Sequence, residues 1–504
     1  MTAPENEKGL VRQLSLLDAT MIVIGSMIGS GIFLTSAESS RLVGAPGWLL
    51  IAWLLAGVMT ITGALCLAEL AAMMPRAGGP YVFLSEAFNP VTGFLFGWSL
   101  FFIVQTGTIA AVAVAFANFA GVIVPQISGS NYIFQPAVFG NYAVSLSTQQ
   151  LVAILVIVVL TLINTGGLEV GRWIQNTFTF TKTAALFALI LLGLLIGWNV
   201  GAAAFASDWW NPSANGWNLE SVQPGLSGFG AFAFFMVLGR AMTGPLFSQS
   251  AWTNVTFAAG EVENPGRNLP RALLFGCLLV VGFYLLANVA YVVTLPLADI
   301  QNAPQNRVAA VMMERILGSS GTVIMAVAIM ISTFGCNNSL ILAGARVYFA
   351  MARDGLFFAP LARTNRRHVP AISLVAQGIW ASILVLPRTV TYSPNSATPI
   401  FGNVYTQLLE YIISVELVFA ALSVLAVIIL RRRMPQAERP YRTWGYPVVP
   451  AIFLILSVLL IVNLAFLAPT TSGVGYLLTL TGIPVYLIWR RVGTQKISKQ
   501  TSEN

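Results

Sequence analysis

Twelve long stretches of this chain carry almost no charge, and that recurrence constrains its fold more than any other feature. They lie near 16–38, 46–74, 89–121, 148–166, 173–198, 225–259, 270–295, 319–352, 371–387, 401–430, 446–468 and 473–489. A helix of about 20 mostly apolar residues crosses the hydrocarbon core of a bilayer. Of the 504 residues, 57% are apolar and 9% charged, where soluble proteins carry roughly a quarter charged residues. Too little polar material is present to face water, which excludes an ordinary soluble enzyme. The pattern predicts an all-α membrane protein with twelve transmembrane helices. Residues 1–15 read as a cytoplasmic N-terminal tail, 16–490 as a single transmembrane domain, and 491–504 as a cytoplasmic C-terminal tail. The first apolar stretch has no small-residue cleavage site and is followed by another span, so it does not read as a signal peptide.

The basic residues orient the chain. With the N-terminus inside, 19 of the 26 Lys and Arg fall in inner segments and only Arg41, Arg307, Arg315 and Arg388 fall outside. That asymmetry follows the positive-inside rule and puts both termini in the cytoplasm. The net charge of +8 is spread over short loops, which argues against a nucleic-acid partner. Cys66, Cys277 and Cys336 sit in apolar runs, and His368 is the single histidine. A disulfide scaffold, a zinc cluster and a histidine metal site are thereby excluded, and no motif calls for a cofactor.

Two spans are interrupted. The first contains Gly25, Gly29 and Gly31 with Ser26 and Ser30, and each glycine weakens a helix by ~1 kcal/mol relative to alanine. One reading is close helix packing through Gly25 and Gly29. The other is a helix broken at Gly29-Ser30-Gly31, whose exposed N–H groups take an anion and whose free carbonyls take a cation. In the sixth span, Gly244-Pro245 can kink the helix, because Pro245 lacks an N–H. Ser248, Gln249, Ser250, Thr253 and Asn254 follow. Interrupted helices opening two halves of five spans each point to a midplane substrate site.

Charged residues within spans are functional candidates. Lys182 in the fifth span reads either as functional or as a snorkelling side chain, Arg172 lying ten residues before it. Arg346 reads as structural, and Arg240 as lining an entrance or snorkelling outward. Glu69 and Glu416 are candidate proton carriers, with pairing to a loop arginine as the other outcome. No acid stands near the sixth-span break in the sequence.

The blocks GSMIGSGIF (25–33), AELAAMMPRAGGPYVFLSEAF (68–88), FTFTK (178–182), GEVENPGRNLPRAL (260–273), ARVYFAMARDGLFF (345–358) and ERPYRTWGYPVVP (438–450) occur in that order. Together they resemble the amino acid–polyamine–organocation transporters, in a branch similar to the L-type amino acid transporters and their bacterial relatives. The resemblance implies two inverted five-helix repeats, about 16–198 and 225–430, with two additional helices at about 446–489. It implies a substrate carboxylate at the N–H groups of Ser30 and Gly31, and a substrate ammonium at carbonyls of Met27, Ile28, Phe247 and Ser250. It implies that Gly29, Trp252 and Thr253 also bind the substrate, with Phe247 closing over it from outside and Trp252 matching the family's tryptophan past the break. Lys182 matches a lysine that stands where sodium-coupled relatives bind an ion, and couples helix 5 to helix 1.

Two departures stand out. FSQSAW (247–252) places Ser250 and Ala251 where the family has a glycine pair, and the outer segment 122–147 has no cysteine for a disulfide to an ancillary glycoprotein. The reading is therefore a cell-membrane (plasma or bacterial inner membrane) transporter of amino acids, neutral L-amino acids first, working by alternating access, sodium-independent and as an exchanger, without a disulfide-linked ancillary subunit. The alternative is a proton-coupled carrier of cationic amino acids or polyamines. A sensor or a channel is the remaining class. A sensor normally adds a soluble output domain, and a channel lacks an occluded site between two broken helices.

Overall fold

The computed structural model describes residues 12–166, 168–198, 202–367, 369–392, 399–402 and 404–489. Residues 1–11 of the first tail, the whole of the second tail and His368 lie outside them. The first apolar stretch forms two helices, α1 (Leu16–Met27) and α2 (Gly31–Val43), bent by 40° across the glycine cluster. Ser15 starts α1 through a capping box with Asp18, which satisfies end N–H groups that the helix leaves unpaired. Gly44, at φ +67°, ends α2 in the left-handed conformation that glycine adopts without a steric penalty.

The chain continues through α3 (Pro46–Met73), the short α4 (Pro80–Ala87) and α5 (Pro90–Ile123). Each opens with proline at the first position, where its missing N–H costs nothing. Then come α6 (Thr148–Thr165), α7 (Leu168–Leu192), α8 (Phe232–Ser248), α9 (Asn254–Phe257), α10 (Pro265–Thr294) and α11 (Val308–Leu317). The last five are α12 (Ser319–Arg353), α13 (Ala371–Leu384), α14 (Val404–Arg433), α15 (Val448–Leu467) and α16 (Thr471–Trp489). Among the described residues nine helices are long and apolar enough to cross a membrane, ten if α1 and α2 count as one bent span. The shorter apolar helices α8 and α13 fall where the sequence marks its sixth and ninth spans. The set is consistent with the twelve-span, five-plus-five arrangement.

Lipid is the solvent these helices fit. Ile455, Val458, Leu459 and Val462 of α15 are all exposed, an arrangement that water penalises and hydrocarbon does not. Inside, α10 packs on α3 and α1, α12 on α5 and α7, and α14 on α5 and α15. Small residues permit this closeness. A Cβ at Gly25 would lie 2.6 Å from Thr179 Oγ1 of α7.

Two features depart from the sequence reading. Helix in the sixth span starts at Phe232 rather than near 225, because Gly225 (φ +85°) and Gly230 (φ +56°) turn the chain before it. The fold also contains strands, which an all-α reading omits. β1 (Tyr132–Phe139), β2 (Tyr142–Ser147), β3 (Pro387–Tyr392) and β4 (Pro399–Phe401) form one antiparallel sheet in that order. The two-residue Gly140-Asn141 turn joins β1 to β2, and Gly140 supplies the positive φ such hairpins need. Its partner strands lie about 240 residues apart in sequence and become neighbours only once α6 and α13 pack together.

Candidate substrate site

Helix α1 stops at Met27 and leaves its last carbonyls without intrahelical donors. Three side chains from three other helices supply donors. Lys182 Nζ of α7 reaches the Gly25 carbonyl at 2.5 Å, Cys336 Sγ of α12 reaches Ser26 at 3.3 Å, and the Tyr284 hydroxyl of α10 reaches Met27 at 2.8 Å. Lys182 is fully buried, so its ammonium does not reach solvent. Beyond the break, α2 begins with N–H groups that no helical carbonyl can reach. The end of one helix dipole and the start of another thus meet within residues 28–30, carbonyls on one side and amides on the other.

Helix α8 packs over that break. Ser248 fills the space above Gly31, whose added Cβ would lie 2.6 Å from Ser248 Cβ and 2.7 Å from its Cα. Thr35 Oγ1 and Ser248 Oγ are 3.1 Å apart. The first requirement for glycine at 31 is therefore the approach of α8. Pro245 cannot bond to the Ala241 carbonyl, and the Ser39 hydroxyl of α2 donates to it instead at 2.8 Å. The unwound segment itself falls after Pro245, between the end of α8 at Ser248 and the start of α9 at Asn254. Across the break, the Phe247 ring stands edge-on to Tyr405 with centroids 6.0 Å apart. The Tyr405 hydroxyl lies 3.0 Å from Ser30 Oγ.

Behind the unwound segment lies a cavity lined by Thr60 of α3, Gln105 and Thr108 of α5, Gln249 to Asn254, and Glu416 of α14. Trp252 and Thr253 both face it, and the Trp252 ring also lies against Gly63 of α3. The Glu416 carboxylate faces the backbone N–H of Ala251. The break thus has an acid beside it, brought by a helix about 165 residues further along the chain. The premise of a break without an acid does not hold.

A model of the amino acid permease family matches residues 14–489. The chain belongs to that family. Among its relatives, Asc-type amino acid transporter 1 of Homo sapiens is 29% identical over 492 residues, covering 95% of this chain and 83% of that protein. The large neutral amino acids transporter small subunit 2 of Mus musculus is 28% identical over 494 residues, covering 97% and 84%. The cystine/glutamate transporter of Homo sapiens is 25% identical over 507 residues, covering 98% and 91%.

The permease gathers Met27, Ile28, Gly29, Ser30 and Gly31 at the α1–α2 break, with Phe247, Ser250, Trp252 and Thr253 across it on α8 and the unwound segment. Two of the carbonyls named from the family resemblance already accept protein donors: Met27 bonds to Tyr284, and Phe247 accepts the Ser250 N–H at 3.1 Å. Tyr284 and Tyr405 are the residues the sequence reading missed. Each shares its apolar helix with a second tyrosine, Tyr291 on α10 and Tyr411 on α14, and only its aim at the break distinguishes it.

The remaining charged candidates are tied down. Glu69 accepts from Arg431 at 2.6 and 2.8 Å and from the Thr443 backbone and hydroxyl at 2.7 Å, with Arg439 3.3 Å away. It bolts α3 to the end of α14. Arg346 grips Glu261 with a two-pronged contact of 2.5 and 2.9 Å, joining α12 to the turn after α9. Arg240 bonds to Gln223 and lies 3.3 Å from Glu410 of α14.

Proposed function

We propose that this permease carries L-α-amino acids, neutral ones first, by alternating access, independently of sodium and by exchange. The α1–α2 break supports the reading. One set of backbone carbonyls and one set of amides, side by side, match the ammonium and carboxylate that every α-amino acid shares. Phe247 and Tyr405 then form the outer closure, and the Arg346–Glu261 pair the inner one. Lys182 holds the inner half-helix, and its ammonium occupies the region where a bound sodium ion would be repelled.

The excess of Lys and Arg in the inner segments supports both termini facing the cytoplasm of a cell membrane. The three cysteines are buried within helices, which supports a transporter working without a disulfide-linked subunit. Purified protein in liposomes, given a panel of labelled amino acids with and without internal substrate, tests this reading. Uptake of neutral amino acids that rises with internal substrate is the expected result. No uptake of any amino acid overturns it.

A further inference from the structure

Glu416 is the acid that the site as described leaves without a task. It is half-buried against the cavity behind the unwound segment, where it faces one backbone N–H, that of Ala251. No Lys or Arg among the described residues forms an ion pair with it, and none lines the cavity. A carboxylate offers about four acceptor positions, so most of its capacity is unspent. Leaving such a group in a low-dielectric interior without a counter-charge is costly.

Gln249, fully buried on the same cavity, donates its Nε2 to the Trp53 carbonyl at 3.3 Å and leaves its Oε1 without a partner. The space behind the unwound segment therefore holds unspent acceptors on Glu416 and Gln249, with one unpaired amide donor, Asn254 Nδ2, on the same wall and no positive charge. A side chain ending in hydrocarbon satisfies neither acceptor. A side chain ending in an ammonium supplies a positive charge and three donors.

We propose that Glu416 makes this cavity a subsite for a protonated amine at the end of the substrate side chain, so that the permease accepts cationic α-amino acids besides neutral ones. The proposal rests on amino acid transport as the activity, and it names the side-chain chemistry. Carboxylate and ammonium of the substrate backbone go to the α1–α2 break, and the distal amine extends past the unwound segment to Glu416.

The test compares lysine with norleucine, which keeps the aliphatic chain and lacks the terminal amine. In liposomes, lysine should compete with norleucine uptake and should itself be taken up by the wild type. In Glu416→Gln, which keeps the size and loses the charge, the lysine-to-norleucine uptake ratio should fall about tenfold or more, as expected for loss of a hydrogen bond to a charged group. Glu416→Asp should keep part of the preference. An unchanged ratio in Glu416→Gln, whatever the absolute rates, overturns the assignment, since a proton-carrying or structural role moves both substrates together. So does norleucine uptake by the wild type that lysine does not compete with, a measurement that needs no variant. Failure to take up either amino acid sinks the transport reading itself.

Discussion

Lys182 Nζ lies 2.5 Å from the Gly25 carbonyl oxygen, so a lysine on α7 closes the last turn of a half-helix 157 residues earlier in the chain. The bond joins two elements rather than stabilising one. With Cys336 on Ser26 and Tyr284 on Met27, the end of α1 is held by α7, α12 and α10 together. Any motion of α1 must break or carry these contacts.

Lys182→Ala should cut turnover strongly while the protein remains monodisperse, because it strands a buried carbonyl at about 1–3 kcal/mol and changes the balance between conformations. Substrate affinity should move less. Initial rates and equilibrium binding in liposomes separate the two. Normal turnover in both Lys182→Ala and Lys182→Gln would remove this residue from the mechanism.

Gly31→Val should abolish transport. The new side chain meets Ser248 backbone and side chain and pushes α8 away from the break. Adding Ser248→Gly to a Gly31→Ala background should recover part of the uptake lost in Gly31→Ala alone. Recovery should stay partial because the Ser248 Cα remains 2.7 Å from the new methyl, and full recovery would show that the serine side chain alone demands glycine at 31.

Ala251 sits at φ +64°, a left-handed conformation that costs a residue with a Cβ roughly 1–2 kcal/mol. Ala251→Gly should raise the midpoint of thermal unfolding in detergent. A lower midpoint would mean that the alanine methyl contributes packing worth more than the strain.

Arg346→Ala should be the most destabilising of these changes. It leaves Glu261, 3% exposed, without its cation, and breaking one partner of a buried pair costs about 3–5 kcal/mol. Arg346→Lys should restore little, since a lysine cannot reproduce the two-pronged grip. Thermal unfolding of both variants measures the difference, and equal stability of lysine and arginine would argue against the geometry.

Replacing sodium with choline at constant pH and ionic strength should leave uptake unchanged. Collapse of uptake would mean that a sodium ion binds despite the neighbouring Lys182 ammonium.

The helices were legible because their cause is local. Charge-free stretches of membrane length report the cost of burying polar groups in hydrocarbon, a property of each segment by itself. The α1–α2 break was legible for the same reason: Gly29-Ser30-Gly31 weakens one helix wherever it packs. The inner ends of α3 and α12 were half-legible, since Glu69 and Arg346 announced partners without naming them.

Partners were not legible, because they depend on how each helix is rotated and which neighbours it meets. Glu416 reads as a lone acid in an apolar run, and it faces Ala251 because α14 turns that face toward the unwound segment. Ser30 and Tyr405 touch across 375 residues, and β2 pairs with β3 only after two segments distant in sequence are brought together. Hydropathy and helix propensity act within a few turns of chain, whereas a side-chain contact between helices is settled by the packing of the whole bundle. The membrane-spanning architecture and the broken first helix follow from the first kind of force, and the chemistry lining the site follows from the second.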